Sequence, residues 1–144
     1  MPPSDYELQY ETHLEAPPAR VFAALTEGRH LAEWFCDEAE TQAEPRGRIV
    51  MQWHRPGPMS PPYQGQWVEF DPPRVCAYAG GHEGYPDRGA GRVKYTLEPE
   101  GDGTRLITQH SLPAGPEYDR FVELYRDVWP RALARLIGYL SPEF

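Results

Sequence analysis

Lysine is almost missing from this chain. Of its 14 basic residues all but Lys94 are arginine, and 22 acidic residues bring the formal net charge to −8. Phosphate backbones need a basic footprint, so nucleic acid is excluded as the main partner, and anionic membrane surfaces are disfavoured. Long apolar runs are missing too. None approaches the roughly 18 residues that a membrane-spanning helix needs. The start, MPPSDYELQY, has neither the basic residues nor the apolar stretch of a signal peptide. Cysteine is scarce: Cys36 and Cys76 are too few and too unpatterned for a disulfide framework or a zinc site. They read as reduced thiols of a cytoplasmic protein. His13, His30, His54, His82 and His110 show no metal-ligand spacing, and no GxSxG or Cys–His signature supports a nucleophile. The glycine-rich GGHEGYPDRGAG at 80–91 lacks the spacing of a phosphate cradle. Neither metal nor cofactor is expected.

What is present describes a folded chain. Aromatic residues make up 12% and hydrophobic residues 40%, which excludes disorder despite 17 prolines. A domain of 144 residues buries about 68–70% of its unfolded surface and needs no staple, so residues 1–144 read as one domain. YELQYETHLEA (6–16) alternates as a strand with one wet face. APPARVFAALTEGRHLAEWF then reads as two short helices, with Pro17 and Pro18 at the start and Gly28 breaking the first. The period changes to two for strands near 37–43, 47–55, 63–71, 74–80, 91–99 and 103–111, separated by Pro- and Gly-rich turns. EYDRFVELYRDVWPRALARLIGYL (117–140) is one long amphipathic helix, in which Pro130 predicts a kink or a restart. The order predicts an α+β fold, a curved seven-stranded antiparallel sheet closed over a long C-terminal helix. One helix cannot fill so much concave surface, so a pocket between sheet and helix is expected.

The strand GDGTRLITQHSLP at 101–113 carries Thr104, Leu106, Thr108 and His110 on one face. Thr108 and His110 either offer hydrogen bonds to the polar end of a ligand or are satisfied within the fold. Trp34, Trp53, Trp67, Tyr78, Tyr95, Phe121, Tyr125 and Trp129 fall toward the same concave space, as cavity lining or as core. Glu69 is in phase with Gly65 and Trp67. Facing inward it would be a candidate general base with His110 or Tyr95; facing outward it is an ordinary surface charge. Segments 55–62 and 80–91 are placed to gate the mouth of such a pocket.

APPARVFAALTEGRHLAEWF, YQGQWVEFDPPRVCAYA, GDGTRLITQHSLP and DVWPRALARLIGYL follow one another across nearly the whole chain. In that order they resemble the START-like, helix-grip superfamily shared with birch-pollen-allergen-like proteins and polyketide cyclases. Within it they are most similar to the family named for the activator of the heat-shock chaperone ATPase. The chain departs from that pattern where AYAGG replaces a strand-ending Trp and where Val128 precedes Trp129. The resemblance implies a binding module for a hydrophobic or amphipathic small molecule, with a stress-related role. It also leaves open a cyclase- or hydrolase-type enzyme, or a protein acting on a chaperone through its surface, with a homodimer compatible with either.

Overall fold

Alternation of apolar and polar residues across YELQYETHL builds β1 (Tyr6–Leu14), with Leu8 and Leu14 buried and Glu7, Gln9, Glu11 and His13 turned to water. The computed structural model describes residues 6–54, 62–82, 91–112 and 118–141, the side chains of His82 and Arg120 excepted. After β1 come α1 (Pro18–Thr26) and α2 (Gly28–Trp34), then β2 (Glu38–Thr41), β3 (Arg48–Gln52), β4 (Tyr63–Asp71), β5 (Val75–His82), β6 (Arg92–Glu100), β7 (Gly103–Leu112) and α3 (Asp119–Leu140). Segments 55–62 and 80–91, expected to gate a pocket, lie largely outside the described residues.

All seven strands form one antiparallel sheet in the order β1-β7-β6-β5-β4-β3-β2. Each neighbour after β1 is the next strand in the chain, as short links between successive strands require. The sheet is curved, and its inner face meets α3. Three glycines permit local close approaches. A Cβ on Gly80 would stand 2.1 Å from the Gln64 carbonyl oxygen and 2.6 Å from Gly65 Cα, so the paired Gly65 and Gly80 let β4 and β5 come together. The break between α1 and α2 falls at Glu27, with Gly28 as the first residue of α2, where a Cβ would lie 2.8 Å from the Ala39 carbonyl oxygen.

The stripe Phe121, Tyr125, Val128, Ala132, Leu136 and Leu140 is buried, while Glu123, Arg126, Asp127, Arg131 and Arg135 face out. Each leucine so buried stabilises the fold by about 1.5–3 kcal/mol relative to exposure. The helix does not restart at Pro130. Pro130 and Arg126 are both exposed, so the carbonyl that loses its helical partner can turn to water. Three side chains pin α3: Tyr6 donates to Asp119 Oδ1 (2.6 Å), Arg135 Nε to the Trp34 carbonyl (2.8 Å), and His30 shares a hydrogen bond with the Tyr139 hydroxyl (2.6 Å).

Candidate functional site

Period-two geometry aligns the inner residues of neighbouring strands into rows. One row runs Leu8, His110, Val93, Tyr78, Trp67; the next runs Tyr10, Thr108, Tyr95, Cys76, Phe70. Trp34, Trp53, Trp67, Tyr78, Tyr95, His110, Tyr125 and Trp129, eight of the ten residues singled out from the sequence, touch through their rings. Trp34 meets Phe35 (5.0 Å between centroids), Phe35 stacks on Trp129 (5.5 Å) and meets Trp53 (5.3 Å). Trp129 meets Tyr95 (6.2 Å), Tyr95 meets Tyr78 (6.4 Å), and Tyr78 meets Trp67 (5.6 Å). His110 joins through Tyr125 (4.4 Å) and Trp129 (5.9 Å). Thr108 is the cross-strand partner of Tyr95, and Phe121 is buried one turn before Tyr125 on α3. Such edge-to-face contacts favour a fixed ring arrangement.

Phe35 and Tyr63 also belong to this network, although the sequence pattern did not single them out. Tyr63 meets Tyr78 at 5.6 Å, and its ring edge lies over Gly65, 3.0 Å from where a Cβ would be. Its phase with Trp67 was the available signal. Phe35 has no strand phase, since it caps α2, and only the aromatic pair ending HLAEWF pointed to it.

The polar atoms of the site divide sharply. Trp34 Nε1 donates to the Ala24 carbonyl and Trp53 Nε1 to the Phe35 carbonyl, both at 2.8 Å. Trp129 Nε1 donates to His110 Nδ1 at 3.0 Å, which places the ring proton of His110 on Nε2. Thr104 Oγ1 donates to the Ala16 carbonyl (2.7 Å). By contrast Trp67 Nε1, the Tyr95 hydroxyl and Thr108 Oγ1 are buried with no hydrogen-bond partner among the described residues. The Tyr78 hydroxyl is near enough to Tyr95 to influence its ionisation, but the two do not reach hydrogen-bonding geometry. These three atoms belong to residues that are 1%, 0% and 0% exposed. Buried polar groups are satisfied in the great majority of cases, so three on one face require a reason.

Titration supports no acid–base chemistry here. Burial first, then the neighbouring tyrosine hydroxyls, holds Tyr78 well above the usual phenol value; burial and the nearby Cys76 do the same for Tyr95. Burial pushes the Cys36 thiol up to about 12 and raises Cys76 as well, so neither is a thiolate at neutral pH. Glu69 does not meet His110. A register shift between Trp67 and Glu69 leaves Val68 as an extra, 49% exposed residue and reverses the phase of the remaining β4 residues. Phe70 therefore turns inward against Trp67 and Phe22, while Glu69 faces out to pair with Arg92 and Lys94. The Glu69 pairings with His110 and Tyr95 are not assembled. Among the described residues no group of His, Cys, Asp and Glu could hold a metal ion, and no helix is long and apolar enough to cross a membrane.

Several clefts among the described residues open to solvent, one of them, of about 340 Å³, beside Arg46, Gln66, Trp67 and Phe70. A larger one, of about 650 Å³, runs between Gly28 and Arg29 and the outer residues Glu40, Gln42 and Arg48. Its exposed charged lining suits water, and it lies away from the aromatic face. Another, of about 310 Å³, reaches the outer edges of Trp34, Phe35 and Trp53 beside Arg135.

A curved antiparallel sheet closed on one long helix, with an aromatic inner face, defines a protein of the START-like, helix-grip class. The chain belongs to the family described as Activator of Hsp90 ATPase homolog 1-like protein, whose sequence profile matches residues 15–141. Among solved structures it is similar to CalU16 from Micromonospora echinospora, 26% identical, with 96% of this chain and 78% of that chain covered and a TM-score of 0.73. The dimeric Aha1 from Colwellia psychrerythraea shares the fold at 15% identity, covering 94% and 96% with a TM-score of 0.76. A protein from Mesorhizobium loti does so at 18% identity, covering 92% and 95% with a TM-score of 0.79. No curated protein matches the sequence.

Proposed function

We propose that this is a cytoplasmic binding protein for a hydrophobic or amphipathic small molecule, held between the inner face of the sheet and α3 within a single domain spanning residues 1–144. The observation that carries the reading is the set of three buried, unpartnered polar atoms on Trp67, Tyr95 and Thr108, within a face rich in aromatic rings. An empty core would incur a desolvation cost at each of them; a bound molecule would satisfy them. Trp34, Trp53, Tyr78, Phe121, Tyr125 and Trp129 supply contact area, and His110 helps orient the polar end. Among the described residues the face carries no carboxylate or thiolate, so the reading is binding without turnover. Native mass spectrometry of protein purified from its own host tests it. A stoichiometric small molecule released on denaturation supports it; protein that is empty and binds nothing in an apolar-ligand screen refutes it.

A second reading has a specific support, the family itself. The chain would then act through its surface on a chaperone ATPase, as a monomer or as a homodimer. Stimulation of a chaperone's ATPase rate by stoichiometric protein supports it, and an unchanged rate with no co-elution sinks it.

A further inference from the structure

The two edges of the sheet are finished differently. At β2 the junction of α1 and α2 closes the edge. Thr41 Oγ1 donates to the Thr26 carbonyl (2.7 Å) and accepts from the Gly28 N–H (3.0 Å), and Gly28 packs against the Ala39 carbonyl. At β1 no such closure exists. Among the described residues its backbone bonds only to β7, so the N–H and C=O groups that point the other way have no protein partner. The strand is 9 residues long, keeps unbroken register with β7, and contains neither Pro nor Lys. An edge of this kind is a template for another strand. Tyr6 and Tyr10, on its inner side, are only half-buried against the core, which leaves apolar surface for that strand to cover.

The side chains of the edge select the occupant. Glu7, Gln9, Glu11 and His13 line its outer side. In an antiparallel pair of identical strands, like faces meet only when the two-fold axis passes through a residue. An axis at Gln9 sets Glu7 opposite Glu11, and an axis at Glu11 sets that carboxylate opposite itself; both are unfavourable. An axis at Tyr10 pairs the whole of Tyr6–Leu14 and puts Gln9 opposite Glu11 and Glu7 opposite His13. His13 already meets Glu100 (2.6 Å) and Glu15 (2.9 Å) through its two ring nitrogens, an arrangement that favours the imidazolium. The strand is thus complementary to itself in one full-length register.

We propose that the free edge of β1 pairs with β1 of a second copy of this chain, antiparallel about Tyr10, so that one continuous sheet runs through a symmetric dimer. This pairing is independent of what the inner face holds. Sedimentation velocity on the full chain should show dimer at about 100 μM, and β1 amides should gain protection from hydrogen exchange as dimer forms. Tyr10→Cys should lock the dimer under oxidised glutathione, because directly opposite Cα atoms lie about 4.5–5.5 Å apart. Gln9→Cys and Glu11→Cys, each opposite a residue other than itself, should not, and neither should the wild type, whose Cys36 and Cys76 are buried. Gln9→Lys leaves the core side of β1 untouched and should tighten the dimer about fivefold through two new pairs with Glu11. A chain still monomeric at about 1 mM overturns the proposal. Cross-linking through Gln9→Cys or Glu11→Cys, or a dimer weakened by Gln9→Lys, overturns the register. A dimer whose β1 amides exchange as in the monomer overturns the surface.

Discussion

Replacing Tyr95 by Phe removes one atom from the most enclosed part of the molecule, and the structure fixes the sign of the result. The side chain is fully buried, its hydroxyl has no partner among the described residues, and its ring contacts to Tyr78 and Trp129 do not involve the oxygen. A buried hydroxyl without a hydrogen bond costs about 1–3 kcal/mol, whereas the space left by one oxygen costs little. Tyr95→Phe should therefore stabilise the unliganded protein by about 1–2 kcal/mol. With an unfolding entropy near 2.1 cal/mol/K per residue, a chain of 144 residues gains about 3 °C in Tm per kcal/mol, so calorimetry should read a rise of about 3–6 °C. Burial raises the tyrosine's pKa in the folded state. The hydroxyl of the unfolded chain ionises near pH 10, so wild-type stability falls above that pH, whereas the variant has no proton to hold. The gain should be flat from pH 6 to 9 and should widen above pH 10. A loss of 1 kcal/mol or more at pH 7 would refute the reasoning, since it would mean that the hydroxyl is partnered, by Tyr78 or by a held water.

Other changes separate backbone, surface and titration effects. Gly80→Ala places a methyl against main-chain atoms of β4 at 2.1 and 2.6 Å, so urea unfolding should show a loss above about 2 kcal/mol. Gly138→Ala in α3 meets nothing within 4 Å and should add about 0.5–1 kcal/mol; a loss there would contradict the open surround. Glu69→Gln breaks an outer ion pair, costs under about 1 kcal/mol and leaves ligand binding unchanged, so weakened binding would return Glu69 to the inner face. Glu100 first, and Glu15 beside it, raise the pKa of His13, so its contribution is complete below pH 6.5 and vanishes as pH rises through the folded value. His13→Gln should thus lower Tm at pH 5.5 and not at pH 9, and an equal loss at both would show that charge is not the cause.

Much of this architecture was legible because side-chain period is a local property. The alternation in β1 and β7 placed Leu8, Leu14, Leu106, Thr108 and His110 on the inner face without reference to any other strand. The stripe of α3 likewise set its buried side, and the outcome at Pro130 depended only on which way its lost bond faced. Phase failed where one residue broke the count. Val68 is an ordinary β-former with no turn residue beside it, so nothing local marked a bulge, and Glu69 could be assigned only once the sheet order brought Arg92 and Lys94 of β6 within reach across β5. Strand ends were overrun at 42–43 and 53–54, where pairing, not propensity, ends the strand.

The chemistry of the inner face was legible only as an inventory. A sequence tells that Trp67 carries a donor and that Trp129 carries the same donor; it does not tell that only one of them finds a nitrogen to meet. That difference comes from where α3 crosses β7. Trp129 stands across from His110 and donates to it, while Trp67, on β4, faces rings that cannot accept as a nitrogen or carbonyl does. Two identical side chains thus end in opposite states, one hydrogen-bonded in the core and one without a partner among the described residues. Partner assignment is a property of the packed whole. The same argument explains why the Thr104 hydroxyl finds a partner and that of Thr108, four residues along the same face, does not: the first reaches the Ala16 carbonyl as the chain leaves β1, and the second stands mid-sheet, where the backbone acceptors are paired within the ladder.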